Sequence, residues 1–397
     1  MRMHNGFNTA QTDFCEGTVN TQKYRVTLTL ENGAVFEGEA FGGIETLRRK
    51  DRLGEVVFTT TMTGYQEVCT DPSYRGQMVV MTYPLIGNYG VADSAEESRR
   101  PWLSALIVRE YCEEFSNWSA AESLDSYLRR AGIPGVSELD TRALTRMLRE
   151  KGTLRGALHL LDDDEQPDTP KQTKIAQSAR TVTELDVVQD VVTPEIIRLE
   201  PENGSTADTP HIALIDTGYK KNISSSLLRR GARVTIVPYS ISIDDLLKLE
   251  PDGLLLSNGP GDPETVTHLI AMTRELIQRQ IPMMGICLGH QIIGLAAGAK
   301  TSRLPFGHHG GNHPVIEVKT NTVTITTQNH NFQVDANSIP ESSGFYVSHY
   351  NLSDGSVEGL AHVELPIFSA QYHPEAAPGP QDNLGLFDRF LQNIKKS

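Results

Sequence analysis

Cys287 stands between Gly285 and Gly289 in the stretch MMGICLGHQIIGLAAG, Met283 to Gly298. Pro282 to Ile286 is short and apolar and predicts a buried strand, while Gln291 to Ala297 predicts a helix. A nucleophile on a sharp strand-to-helix turn needs small neighbours, because a Cβ on either side would crowd the strained backbone. The Gly-x-Ser-x-Gly elbow obeys the same rule with oxygen in place of sulfur. The turn also sets Cys287 at a helix start, where peptide dipoles favour a thiolate and free N–H groups can hold a developing oxyanion.

A cysteine nucleophile needs a base, and the base needs an orienting group. His373 and Glu375 in QYHPEAAPG supply that pair. Pro374 fixes its own φ and biases His373 towards an extended backbone, so Glu375 can hold the imidazole from the far side. The bland alternative is a surface loop with an incidental His and Glu, and the elbow on the same sheet edge weighs against it. A third piece is Ser257 to Pro263, SNGPGDP. Asp262 as N-cap and Pro263 at the first helical position account for its end, while Gly259 and Gly261 allow a backbone N–H to approach a ligand closely.

Other reactive residue types carry less. Cys15, Cys69 and Cys112 show no CxxC spacing and read as small buried hydrophobes. His308, His309 and His313 in FGHHGGNHP invite a metal, but the segment has no adjacent Cys or carboxylate and no zinc-site spacing. A structured loop beside the active site is expected there, with no metal ligand. Neither a Gly-x-x-x-x-Gly-Lys-Ser/Thr loop nor a dinucleotide fingerprint is present, so the chain is expected to have no nucleotide site of its own.

The elements that must position these residues fall into two regions. With 397 residues, the chain is too long for one ordinary core. Residues 1–23 are expected to be a disordered extension. From Tyr24 to about residue 160, strands predominate, with a hairpin signal at Glu31-Asn32-Gly33 and helical periodicity in AAESLDSYLRRAG and DTRALTRMLREKG, each closed by Gly. Residues 161–209 are polar and Pro-bearing around a weakly apolar segment at Leu185 to Val192, which marks a linker. From residue 210 to 397, strands alternate with helices, so right-handed βαβ units around a doubly wound, mostly parallel sheet are expected, with antiparallel strands at one edge. The fold class is therefore α/β with a strand-rich mixed α/β domain in front. In such sheets ligands lie beyond the carboxyl ends of the strands, where Cys287, SNGPGDP and HPE would meet.

Composition narrows the function classes. A net charge of −14 without a compensating basic tract argues against nucleic acid or an anionic membrane as partner. No apolar run approaches the roughly 20 residues of a membrane span. The first residues lack both a secretion signal and a transit-peptide pattern, so a reduced, cytoplasmic setting is expected.

GICLGHQ, SNGPGDP and QYHPEA resemble the three signatures of class I (triad) glutamine amidotransferases. FTTTMTGYQEVCTDPSYRGQMVVMTYPLIGNYG, LDTRALTRMLREKGTLRG, FGHHGGNHPV and TTQNHNF narrow the likeness to the small, glutamine-hydrolysing subunits of carbamoyl-phosphate synthases, from about Tyr24 onwards apart from the linker. The resemblance implies that Cys287 attacks the side-chain amide of L-glutamine, that His373 passes the proton to departing ammonia, and that Glu375 orients His373. The N–H groups of Gly259 and Leu288 would form the oxyanion hole. Glutamine contacts would come from Thr61, Gly261, Gln291, Asn329, Asn331 and Phe332. Thr61 stands where Ser is frequent, and Asn331 where Gly is common; if that position needs φ > 0, Asn is among the least costly substitutes. The resemblance further implies a large partner subunit that binds ATP and Mg and receives the ammonia, in a heterodimer able to assemble further.

Three other readings share these residues. A subunit of another amidotransferase would have Cys287, His373 and Glu375 but no need of the first region. A scaffold on the same fold would not need an intact triad. A stand-alone cysteine hydrolase would leave the extra domain without a purpose.

Overall fold

The computed structural model describes residues 23–162 and 164–395; the expected N-terminal extension and Cys15 lie outside the described residues, apart from Lys23. Two β-structures dominate: a closed barrel and an open ten-stranded sheet.

The barrel begins with the predicted hairpin. Arg25–Leu30 pairs antiparallel with Val35–Gly42, and the turn closes on Gly33 at φ 86°, with the Asn32 side chain accepting from Ala34 N–H. Around the barrel follow Pro134–Ser137, Ala105–Ile107, Gln77–Met81, Arg52–Thr59 and Leu154–Leu160, which returns to Arg25–Leu30. Strand alternation divides the apolar residues. Val26, Leu28, Val56, Met78 and Val80 join one cluster, while Val57, Val79 and Met81 join another with Leu124 and Leu128 of the helix Leu124–Ala131. That helix ends at Gly132 in the left-handed region, as the sequence predicts.

Residues 161–209 carry defined elements. The helix Thr169–Gln177 contacts the barrel strands Arg25–Leu30 and Leu154–Leu160. The short helix Val187–Val191 buries Val188 in the core of the open sheet, and Ile197–Leu199 adds an antiparallel edge strand to it.

The centre of the open sheet is parallel: Arg233–Pro238, His211–Asp216, Gly253–Leu256, Met283–Ile286 and Ile367–Ala370, in that order. Helices cover both faces, so these strands are apolar on both sides: Ala213 and Ile215 face one cluster, Ile212 and Leu214 the other. Strand order reverses between His211–Asp216 and Gly253–Leu256, which opens a crevice at their carboxyl ends.

The antiparallel side of the sheet corrects one expectation. FGHHGGNHP is no loop: it lies within the strand Thr301–Glu317, paired with Thr322–Val334. Two register shifts, between Arg303 and His308 and between Gly310 and His313, let glycines sit in a continuous strand. This long hairpin also touches the barrel. Thr60 N–H donates to the His309 carbonyl, Thr153 N–H donates to the Pro305 carbonyl, and Arg303 pairs with buried Glu55 at 2.7 Å.

Candidate active site

Three adjacent parallel strands end side by side. Leu256 is in register with Gly285, and Ile286 with Ala370, so Ser257, Cys287 and Gln371 leave the sheet at one edge. Cys287 has φ 52° and ψ −102°, a strained backbone for a residue with a Cβ, and it precedes the helix Leu288–Ala296. The flanking glycines are sterically required. A Cβ on Gly285 would sit 2.6 Å from the Gly289 carbonyl oxygen, and one on Gly289 would sit 2.2 Å from that of Leu256. The elbow anticipated from spacing is therefore built by close backbone contacts.

The Cys287 thiol is buried and donates to the Asn329 carbonyl at 3.6 Å. His373 and Glu375 are fully shielded, with His373 Nδ1 2.6 Å from Glu375 Oε1. Burial disfavours a charged imidazole, but the Glu375 charge and the hydrogen bonding of the ring with Cys287 and Glu375 together outweigh it and hold the ring's proton affinity high. Cys287 is near enough to His373 to favour its protonated form, and among the described residues His373 Nε2 has no other hydrogen-bond partner. Burial likewise works against the Glu375 carboxylate, yet Lys220 and His373 together keep it well below the usual carboxylate range. Lys220, itself buried, lies 3.0 Å from Glu375 and donates to the Ala376 carbonyl. The sequence reading missed Lys220; its place in a KK pair before a helix looks like any solvated charge.

A cleft beside Cys287 is lined by Gly259, Pro260, Gly261, Gln291, Asn329, His330, Asn331 and Phe332, together with Ser73 from the barrel region. Most of the expected glutamine contacts therefore meet in one place. The N–H groups of Gly259 and Leu288 have no acceptor among the described residues. The Leu288 side chain points into the core, leaving only its backbone for the site. Gly259 is packed so tightly that a Cβ would lie 2.1 Å from the Thr217 carbonyl oxygen. Gly261 has φ 93° and is backed by Val187 from the segment after the barrel. Gln291 Nε2 donates to the Phe332 carbonyl and to Gln371 Oε1, which steadies the helix against the strand Thr322–Val334.

Two positions differ from the simplest expectation. Thr61 is not among the residues that line the cleft; it is buried, its hydroxyl 3.0 Å from that of Thr59. Asn331 is extended within its strand and is absent from the positive-φ residues, so Gly is not required there for conformation. Its amide instead faces His309 Nε2 at 3.3 Å.

The histidine-rich strand is drawn together by the fold. His308, His330 and Glu358 place one potential ligand atom each within 4.8 Å of one another, although none of their carboxylate neighbours is adjacent in sequence. Each ring nitrogen of the pair already has a partner: His308 faces Asp354 and Gln328, and His330 faces Gln328 and the Phe332 carbonyl. Cys112 also departs from expectation, being only half-buried with its thiol directed at the Glu114 carbonyl. Cys69 is fully buried, as predicted. Among the described residues, no helix is long and apolar enough to cross a membrane.

Comparison with known proteins accounts for both regions. Residues 213–393 match the family model of glutamine amidotransferase class-I, and residues 28–158 match the carbamoyl-phosphate synthase small chain, CPSase domain. The chain is 47% identical over 369 residues to the carbamoyl phosphate synthase small chain of Symbiobacterium thermophilum, covering 93% of this chain and 98% of that one. It is 47% identical over 381 residues to that of Chlorobaculum tepidum, covering 94% and 99%. With the carbamoyl phosphate synthase pyrimidine-specific small chain of Bacillus subtilis, identity is 45% over 368 residues, covering 93% and 95%. The elbow, the open α/β sheet and the barrel in front of it thus occur together in a chain that belongs to the carbamoyl phosphate synthase small chain family.

Proposed function

We propose that this chain is the glutaminase subunit of a glutamine-dependent carbamoyl-phosphate synthase, working through a Cys287–His373–Glu375 triad. The observation that carries the reading is the strained Cys287 elbow with a buried His373–Glu375 pair leaving the next parallel strand. The high proton affinity of His373 favours transfer of the thiol proton to Nε2. Sγ then attacks the carbon of the glutamine side-chain amide, and the carbonyl oxygen, as it gains charge, receives the N–H groups of Gly259 and Leu288. The tetrahedral adduct collapses as His373 returns the proton to nitrogen. The C–N bond breaks, ammonia leaves, and a glutamyl thioester stays on Cys287. Water, deprotonated by the same imidazole, cleaves the thioester to glutamate and restores the thiol. Glu375, held as a carboxylate by Lys220, orients the ring and balances its charge in both half-reactions.

The ammonia serves a large subunit, where ATP and Mg activate bicarbonate for carbamoyl phosphate synthesis in the cytoplasm. The barrel region supports this assignment over other amidotransferase subunits, because the glutaminase site does not need a barrel to supply its triad.

The test is Cys287→Ala in the chain reconstituted with its large subunit. Glutamine-dependent synthesis is expected to fall by at least about a thousandfold, while free ammonia still supports synthesis. Loss of both activities in a folded complex would remove Cys287 from this role.

A further inference from the structure

We infer that Asp71 is a positioning residue for glutamine, a barrel-region carboxyl group that sets the spacing of both cleft walls. The inference rests on the glutaminase reading above. Asp71 is buried between the helix Tyr65–Thr70 and the short turn Pro72–Tyr74. One oxygen, Oδ1, accepts from Ser73 N–H at 2.9 Å, which is the ordinary work of an N-cap and would be done equally well by Ser, Thr or Asn. The other oxygen crosses to the open sheet. Oδ2 accepts from Asn329 Nδ2 at 2.7 Å, between residues 258 apart in the chain.

The orientation of the Asn329 amide follows from its two neighbours. Nδ2 faces Asp71 Oδ2, which accepts from it. Oδ1 faces His309 Nδ1 at 2.8 Å. Burial pushes the His309 imidazole down to about 4, so the ring is neutral at physiological pH and Nδ1–H is the donor. His309 Nε2 lies 3.3 Å from Asn331 Oδ1, while Tyr74 stacks on the His309 ring with centroids 5.9 Å apart. Each heteroatom of the Asn329 amide thereby has a partner outside the cleft. Its backbone faces the site as well: the carbonyl oxygen lies 3.6 Å from Cys287 Sγ.

The same turn reaches the opposite wall. Ser73 lines the cleft, and its Oγ accepts from Asn258 Nδ2 at 3.0 Å. Asn258 Oδ1 in turn accepts from Lys220 N–H, so Asn258 is held on both sides immediately before Gly259. Asp71 thus fixes the strand that carries Asn329, Asn331 and Phe332. Through the turn it caps, it also fixes the loop that carries Gly259 and Gly261. Any displacement of the barrel is transmitted to the gap in which glutamine must fit.

The experiment compares glutamine KM with ammonia-driven synthesis for Asp71→Ala and Asp71→Asn in the full chain assembled with its large subunit. Asp71→Ala leaves the Asn329 amide donor buried without an acceptor and is expected to raise glutamine KM by about tenfold, with ammonia-driven synthesis unchanged. Asp71→Asn keeps one acceptor oxygen and is expected to recover part of that loss. If Asp71→Ala does not fold, Asp71→Asn carries the test, with an expected KM rise of more than about twofold. Wild-type KM in the folded variants overturns the inference, as does an equal fall in both activities. A wild-type complex that makes carbamoyl phosphate from ammonia but never hydrolyses glutamine overturns the glutaminase reading itself, and this inference with it.

Discussion

The barrel closes seven strands on themselves, whereas the ten strands of the second region remain open. Both structures bury apolar residues on the two faces of their strands, yet the groups proposed to react all lie on the open one. Closure removes edges and gives a barrel no place where strand order reverses. The open sheet has such a place between His211–Asp216 and Gly253–Leu256, and its carboxyl end collects Ser257, Cys287 and Gln371. The barrel contributes what the sheet lacks: a turn, Asp71 to Tyr74, fixed by a rigid support and pressed against both walls of the cleft. One region supplies the chemistry, and the other sets how wide the site stands.

This division predicts that variants in the two regions differ in kind. Glu375→Gln, in the open sheet, is expected to lower kcat for glutamine hydrolysis by about a hundredfold or more. Removing the Glu375 charge also lowers the proton affinity of His373, so the alkaline limb of the pH–rate profile should move to lower pH. An unmoved limb in a pH series would contradict the charge argument. Leu28→Ala, in the barrel, should cost about 2–5 kcal/mol in urea denaturation because it opens a cavity beside Val56 and Met78. At temperatures where the variant remains folded, its glutamine KM should match wild type; a changed KM would mean that the barrel core, and not only its turn, tunes the cleft.

The smallest expected effect concerns the histidine strand that joins the regions. Burial lowers the proton affinity of His308, but its hydrogen bonds to Asp354 and Glu358 and the charges of those carboxylates together outweigh it and raise the ring to about 9 from 6.5. A raised value means that the stabilisation is fully present below pH ~6.5 and fades as pH climbs through about 9. His308→Gln should flatten that part of a plot of urea midpoint against pH. Parallel curves for variant and wild type would show that the pair contributes nothing to stability.

Local chemistry was legible in the sequence where its cause is local. Gly285 and Gly289 flag the elbow because the clashes they avoid involve the turn itself and the adjacent strand. His373 and Glu375 are two positions apart, and Pro374 between them limits the backbone enough for the pair to be read directly. The hairpin at Gly33, the cap at Asp262 and the end of the helix at Gly132 follow the same logic. Thr61 and Asn331 show the limit: the motif names the positions, but only packing decides that the Thr61 hydroxyl pairs with that of Thr59 and that Asn331 is extended.

The sequence by itself determined which residues can react and the periods of the elements that carry them, since those depend on side-chain type and on spacings of a few residues. Tertiary structure decided which distant groups become partners. Lys220 meets Glu375 across 155 positions of the numbering within the open sheet's own region, and Asp71 meets Asn329 across 258, from the barrel region to that sheet, in contacts that exist only once the chain has folded. No local rule couples such pairs. Their energies come from excluding water around groups that burial would otherwise leave unsatisfied, and burial is a property of the assembled fold.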